Sequence, residues 1–160
     1  MAAKTNGRRK RQIIYRVLLC AYLIVLFYLL FFSEKMGRAD NIQDYRYNLT
    51  LFREIMRFYN SRALYPRAFM INVIGNVVAF MPFGYLLPRM NARCRNPFFT
   101  VLFSFCLSLG VEAVQLVFKL GCFDVDDLLL NTLGGFLGYL IFLLFSRQKV
   151  GQGGKKDAVS

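Results

Sequence analysis

Histidine is absent from these 160 residues, and so is tryptophan. Without histidine there is no Ser-His-Asp triad, no Cys-His pair and no histidine-ligated zinc. Acids are scarce, with 9 Asp and Glu against 21 Lys and Arg. The four cysteines, Cys20, Cys94, Cys106 and Cys122, never fall into a C-x-x-C spacing, which speaks against a structural metal site. Cys20 and Cys106 lie inside apolar runs, so a disulfide framework is not indicated either, and all four read as small hydrophobes or inert thiols. No Gly-rich phosphate loop is present, and the chain calls for no cofactor. A basic start followed by an apolar run resembles a secretory signal, but no small-x-small cleavage site follows Phe32. Leu18 and Leu19 precede Cys20, where a lipoprotein signal needs a small residue. The first apolar run is therefore read as an uncleaved helix.

What is abundant is hydrocarbon. The apolar fraction is 56%, above the roughly 45–50% of soluble chains. A bilayer core of ~30 Å needs about 20 apolar residues in helical form. Four stretches meet that length: Ile13–Phe32, Phe69–Leu87, Pro97–Phe118 and Leu128–Phe145. No soluble domain of this size could bury all four. The expectation is an all-α integral membrane bundle of four transmembrane helices, spanning residues 13–146. Residues 1–12 form a basic N-terminal segment, and residues 147–160 read as a disordered tail.

Loop charge sets the expected orientation. Lys4, Arg8, Arg9, Lys10 and Arg11 precede the first span without an acid. Arg89, Arg93 and Arg95 mark the second turn, again without an acid. The third turn holds Asp124, Asp126 and Asp127 against Lys119. Both termini and the second turn are expected in the cytoplasm, and the third turn outside. The long first connection, residues 33–68, is more basic than acidic, but its length weakens its vote. Basic termini suit anionic lipids, and a nucleic-acid partner is not expected.

Within that connection, Leu49, Phe52, Ile55, Met56 and Tyr59 recur at helical spacing, with Arg53, Glu54 and Arg57 opposite. This predicts an amphipathic helix over Asn48–Tyr59, lying on the outer membrane surface or packed on the bundle. Tyr65-Pro66 ends it. Asn48-Leu49-Thr50 also matches a glycosylation acceptor, a triplet common by chance.

Polar groups at membrane depth are costly and are usually placed for a reason. Asn72 and Asn76 are four apart and share a helix face. Both lie within roughly 10 Å of the outer surface at ~1.5 Å per residue. Glu112 and Gln115 share a face, with Ser108 one turn below, and Glu112 lies about 9 Å from the outer end. Asp127 and Asn131 share a face of the last span, with Asp124 and Asp126 at its mouth. All of them converge on the outer half of the bilayer. Two readings follow: an outward-facing pocket lined by Asn72, Asn76, Glu112, Gln115, Asp124, Asp127 and Asn131, or a hydrogen-bonded network that glues the helices. Glu112 fits glue less well, because a buried carboxylate needs a partner or a proton. Arg46, Arg53, Arg62 and Arg67 are candidate counter-charges. One Asp of the acidic turn, Asp126 or Asp127, is expected to cap the last helix. Asp124, Asp126, Asp127 and Glu112 are also oxygen donors of the kind that hold Mg²⁺ or Ca²⁺, a weaker reading. Gly134 and Gly138 form G-x-x-x-G around Gly135, and Gly75 lies between the two Asn residues; all four read as helix-packing positions. Pro82 kinks the second span and Pro88 ends it.

The stretch Asn72–Pro88, NVIGNVVAFMPFGYLLP, resembles the N-x-x-G-N-x-x-x-F-x-P-F-G segment of VanZ-like membrane proteins. Ser108–Tyr139 contains S-x-x-x-E-x-x-Q, then DVDDLLLNTLGG-x-LGY, which also resembles that family. NLTLF at Asn48–Phe52 is similar to the family's N-L-x-P-F, with Leu51 in place of Pro. The resemblance covers residues 17–146. It implies a multi-pass protein of the bacterial cytoplasmic membrane. The family's named member is associated with low-level resistance to teicoplanin, a lipoglycopeptide.

Three functions come into view. The first is an envelope binding protein whose partner is a lipoglycopeptide or a lipid-linked wall precursor. Teicoplanin carries an acyl chain that vancomycin lacks, so a membrane pocket could tell them apart. The second is a metal-dependent enzyme on lipid-linked precursors, with Glu112 as general base. The third is a small transporter or accessory subunit, helped by a homo-oligomer through Gly134 and Gly138.

Overall fold

The computed structural model describes residues 2–36, 46–61 and 70–156. The chain runs through α1 (Ala2–Met36), β1 (Arg46–Asn48), α2 (Arg53–Ser61) and a π-helical turn, Met70–Ile74. It continues through α3 (Gly75–Met90), a 3₁₀ turn (Ala92–Arg95), α4 (Pro97–Val117), β2 (Cys122–Asp124) and α5 (Val125–Lys156). Four helices, α1, α3, α4 and α5, are long and apolar enough to cross a membrane. α5 continues past the expected end of the last span to Lys156, so the expected tail is helical over most of its length; residues 157–160 lie outside the described residues.

The packing centre is α5. α3 and α4 both lie against it, while α1 touches α3 from the side. Side chains give way at the α3–α5 seam. A Cβ on Gly134 would collide with the Val77 carbonyl, one on Gly138 with the Met81 carbonyl, and one on Gly84 with the Gly135 backbone. Backbone therefore meets backbone along this seam, the close approach that small residues allow in lipid. Gly135 faces the other way, against Ser104 of α4. The G-x-x-x-G face is filled by α3 of the same chain, so it offers no surface to a second copy. Gly75 has open space where a Cβ would point.

α1 is tied on by Leu19, which packs with Phe83 and Leu86, and by the Tyr22 hydroxyl, which donates to the Ala79 carbonyl at 2.6 Å. That bond sits near Pro82, where α3 loses a rung of its own ladder. At the basic end, Tyr139 of α5 donates to the Arg95 carbonyl at 2.6 Å, and Thr100 donates to the Cys94 carbonyl at 2.7 Å. These bonds close the α3–α4 turn over Cys94, which is buried, and burial pushes its thiol pKa up.

Two features depart from the all-helical expectation. β1 and β2 form a two-stranded parallel ribbon, pairing Arg46 with Cys122, Tyr47 with Phe123 and Asn48 with Asp124. Parallel strands need a long crossover, and here α2, α3 and α4 supply it. The amphipathic helix also begins later than its periodicity suggests, at Arg53. Asn48 belongs to β1, and Phe52 has φ 63°, outside the helical region.

Candidate functional site

The acidic end of the bundle carries several sets of side-chain hydrogen bonds. α4 carries Thr100, Ser104, Ser108 and Glu112 at four-residue spacing, each no more than 2% exposed. That spacing stacks them on one face, against α5. The lower members satisfy themselves, since Ser104 donates back to the Thr100 carbonyl at 2.8 Å. Higher up, Asn131 Nδ2 donates to Ser108 Oγ at 2.9 Å. At the top, Glu112 Oε2 accepts the backbone N–H of Asp124 at 3.0 Å.

α4 ends in a Schellman motif. The Leu120 N–H donates to the Gln115 carbonyl at 2.9 Å and the Lys119 N–H to the Leu116 carbonyl at 3.2 Å. Lys119 takes the left-handed position with φ 53°. The chain turns back into β2, and Glu112 receives its last residue.

Each Asp then has a separate task. Asp124, directly before α5, accepts the Asp126 N–H at 2.8 Å and so caps α5. It also accepts both contacts from Asn48 Nδ2, at 3.3 Å each. Asp126 turns away from its own helix. Its oxygens accept the N–H groups of Phe52 and Ile55, the latter at 3.2 Å, so it caps α2 from outside. Asp127 accepts Asn76 Nδ2 at 2.6 Å and joins α5 to α3. The expectation that Asp126 or Asp127 caps α5 is thus replaced by Asp124, because β2 presents that residue one position before the helix.

The seven expected pocket residues are divided by the structure. Glu112, Gln115, Asp124 and Asn131 are buried, at 2%, 4%, 6% and 1% exposure. Asn76 and Asp127 are half-buried and pair with each other, while Asn72 is exposed in the π-helical turn. Of the buried four, Glu112, Asp124 and Asn131 make the side-chain hydrogen bonds just described, and Gln115 accepts at its backbone carbonyl. Among the described residues no three acids or cysteines gather at one point, and the donors just named draw Asp124, Asp126, Asp127 and Glu112 in different directions. Arg46, Arg62 and Arg67 have side chains outside the described residues.

Asn48, expected as a glycan acceptor and as the start of the amphipathic helix, is a hydrogen-bonding residue of β1. It is 6% exposed. Its Oδ1 accepts the Thr50 N–H at 3.2 Å, while its Nδ2 serves Asp124. The four-residue spacing of Thr100, Ser104 and Ser108 with Glu112 is a signal that reading by depth passes over. One atom in the network lacks a partner: Asn131 Oδ1 is buried without a hydrogen bond. Rotating the amide would only exchange an orphan acceptor for an orphan donor.

Beside the network lies an apolar groove of about 580 Å³ between α4 and α5. Leu51, Val101, Phe105, Leu128, Leu129 and Phe136 line it. Leu51 adjoins Phe52, whose N–H Asp126 holds. The groove thus begins under the clamped segment and follows the two spans towards the basic end. Met56 and Tyr59 of α2, at 56% and 49% exposure, leave an apolar face open beside it.

The family model VanZ/LLP1 matches residues 19–146. The chain belongs to the VanZ family. "Protein VanZ" of Enterococcus faecium is 32% identical over 140 residues, covering 85% of this chain and 78% of that protein. No solved structure matches. The VanZ match takes in the last three spans, the later part of the first, the acidic end and the groove, and leaves out residues 1–18 and the end of α5.

Proposed function

We propose that this VanZ-family chain is a multi-pass protein of the bacterial cytoplasmic membrane that holds the acyl part of an envelope-directed molecule in the α4–α5 groove. In this reading the acidic end faces outward and both termini lie inside, as the basic turns favour. The β1–α2 segment then lies at the outer surface, with the exposed apolar face of α2 in the headgroup layer. The network of Asn48, Glu112, Asp124 and Asp126 is scaffolding: it fixes the segment carrying Leu51 over the mouth of the groove. The observation that carries the reading is the groove itself, apolar along its length and adjoining a rigid polar platform. Its volume falls within the usual range for ligand sites, roughly 300–1,000 Å³.

An acyl-bearing lipoglycopeptide such as teicoplanin fits this chemistry, and vancomycin, without the chain, does not. The expected role is therefore protection against teicoplanin and not vancomycin. The test is drug titration in a sensitive Gram-positive host expressing the chain, beside Leu133→Trp, which fills the groove, and Glu112→Gln, which retains an oxygen for the Asp124 N–H. Teicoplanin protection should be lost in Leu133→Trp and kept in Glu112→Gln at matched membrane levels. Protection that survives a filled groove would remove the groove from the mechanism. Absence of protection in every strain would reject the resistance role.

A further inference from the structure

The opposite end of the bundle has a feature that the groove reading does not use. A cavity of about 460 Å³ opens between α1, α3, the 3₁₀ turn and α5. Its lining includes Arg11, Tyr15, Arg89, Arg95, Phe142 and Ser146. Three arginines therefore line one cavity, and no acid is among its lining residues. The described carboxylates of the spans and turns, Glu112, Asp124, Asp126 and Asp127, stand at the far end. From Pro97 to Glu112 the helical rise alone is about 22 Å, well beyond the ~8–10 Å over which salt screens exposed charges.

Arg89 is held in place. It donates to the Tyr85 carbonyl at 3.1 Å, and its guanidinium lies 3.6 Å from the centre of the Tyr85 ring. The Phe142 and Tyr15 rings stand at 5.1 Å and 5.9 Å. Stacking of this kind orients the planar fork and leaves N–H groups for an oxyanion. Arg11 and Arg95 are exposed and close the other sides. The Tyr15 and Phe142 wall is apolar and continues into the lipid-facing surfaces of α1 and α5. A ligand that matches both parts has an anion joined to hydrocarbon.

We infer that this cavity binds the phosphodiester headgroup of an anionic phospholipid, with Arg11, Arg89 and Arg95 as its donors and the acyl chains along α1 and α5. Guanidiniums pair with phosphate through parallel N–H···O bonds, and basic pockets between spans are a recognised setting for such headgroups. The site is independent of the groove and of which drug, if any, the chain meets.

The test is thermal unfolding of the full chain in mild detergent with added dioleoylphosphatidylglycerol, dioleoylphosphatidylcholine or inorganic phosphate. Three proteins are compared: the parent, the pair Arg11→Gln/Arg95→Gln, and the pair Lys10→Gln/Arg93→Gln. The second pair removes the same charge from exposed positions outside the cavity. Phosphatidylglycerol should raise the midpoint of the parent and of the second pair. The cavity pair should need about tenfold or more phosphatidylglycerol for the same rise, a loss of about 1.4 kcal/mol or more. Phosphatidylcholine should have no effect. Because the readout is the lipid-induced rise, a lower starting midpoint does not obscure it. Equal rises in all three proteins would reduce the effect to surface charge and overturn the inference. So would a rise produced by inorganic phosphate alone, which would mark a soluble-anion site.

Discussion

At the scale of single residues, the acidic end is a set of positions where local preference yields to tertiary need. Lys119 sits at φ 53°, where a side chain costs about 1 kcal/mol or more relative to glycine. The Schellman turn needs that conformation to send the chain into β2, and glycine is its usual occupant. Lys119→Gly should therefore stabilise the protein by about 0.5 kcal/mol, after the entropy glycine adds to the unfolded chain. Chemical unfolding in detergent, parent against variant, measures this. A destabilised variant would mean that the lysine side chain contributes more than the backbone strain costs. Phe52, at φ 63°, is held in the same unfavourable region by the bond from its N–H to Asp126. Asn131 is a third case, an amide with one half on Ser108 and the other buried without a partner. None of these can be read from residue type. A lysine, a phenylalanine and an asparagine carry no mark of the backbone angle or the neighbour that makes each unusual.

At the scale of elements, the acids of the third turn show what spacing conveys and what it does not. Their depth and common end follow from the helical rise, and Asp127 does meet Asn76. Their partners do not follow, because a cap depends on which N–H groups another element presents. Asp126 serves α2, 74 positions earlier in the chain from Phe52. The ribbon was equally hidden, since strands of three residues are too short to show alternation. The cap makes a testable claim about α2. A nine-residue helix is marginal in isolation, and Asp126 satisfies two of its free N–H groups. Asp126→Ala should raise amide hydrogen exchange across Arg53–Ser61 and cost about 0.5–2 kcal/mol locally. Exchange in α4 and the rest of α5 should stay unchanged, because Asp124 still caps α5. Asp126→Asn keeps one acceptor and should lie between the two. Uniform exchange increases throughout the bundle would show instead that Asp126 supports the whole fold.

At the scale of the whole molecule, the four spans were open to sequence reading because long apolar runs have no alternative home, and their mutual arrangement was not. The G-x-x-x-G of Gly134 and Gly138 marks a close contact without naming its partner, which is α3 of the same chain. The molecule is also polar along its long axis: Arg11, Arg89, Arg93 and Arg95 at one end, Glu112 and three Asp at the other. That asymmetry predicts which end meets the cytoplasm, and cysteine labelling decides it. The native thiols are poor reporters. Cys94 is buried with its pKa pushed up, and the thiolate is the reactive form, while Cys20 and Cys106 lie within spans. Two exposed positions serve better in a chain whose four cysteines are replaced by serine: Asn91→Cys in the basic turn and Lys119→Cys at the acidic end. A membrane-impermeant maleimide applied to intact cells should label the Lys119 variant and spare the Asn91 variant, and both should react after permeabilisation. Lys119→Cys keeps a side chain at the left-handed position, so it adds no new backbone conformation. The opposite pattern would turn the molecule over. It would place the mouth of the groove and the α2 platform on the cytoplasmic side, out of reach of any drug or wall precursor in the outer leaflet. The guanidinium cavity would then face outward, and its lipid would have to come from the other leaflet.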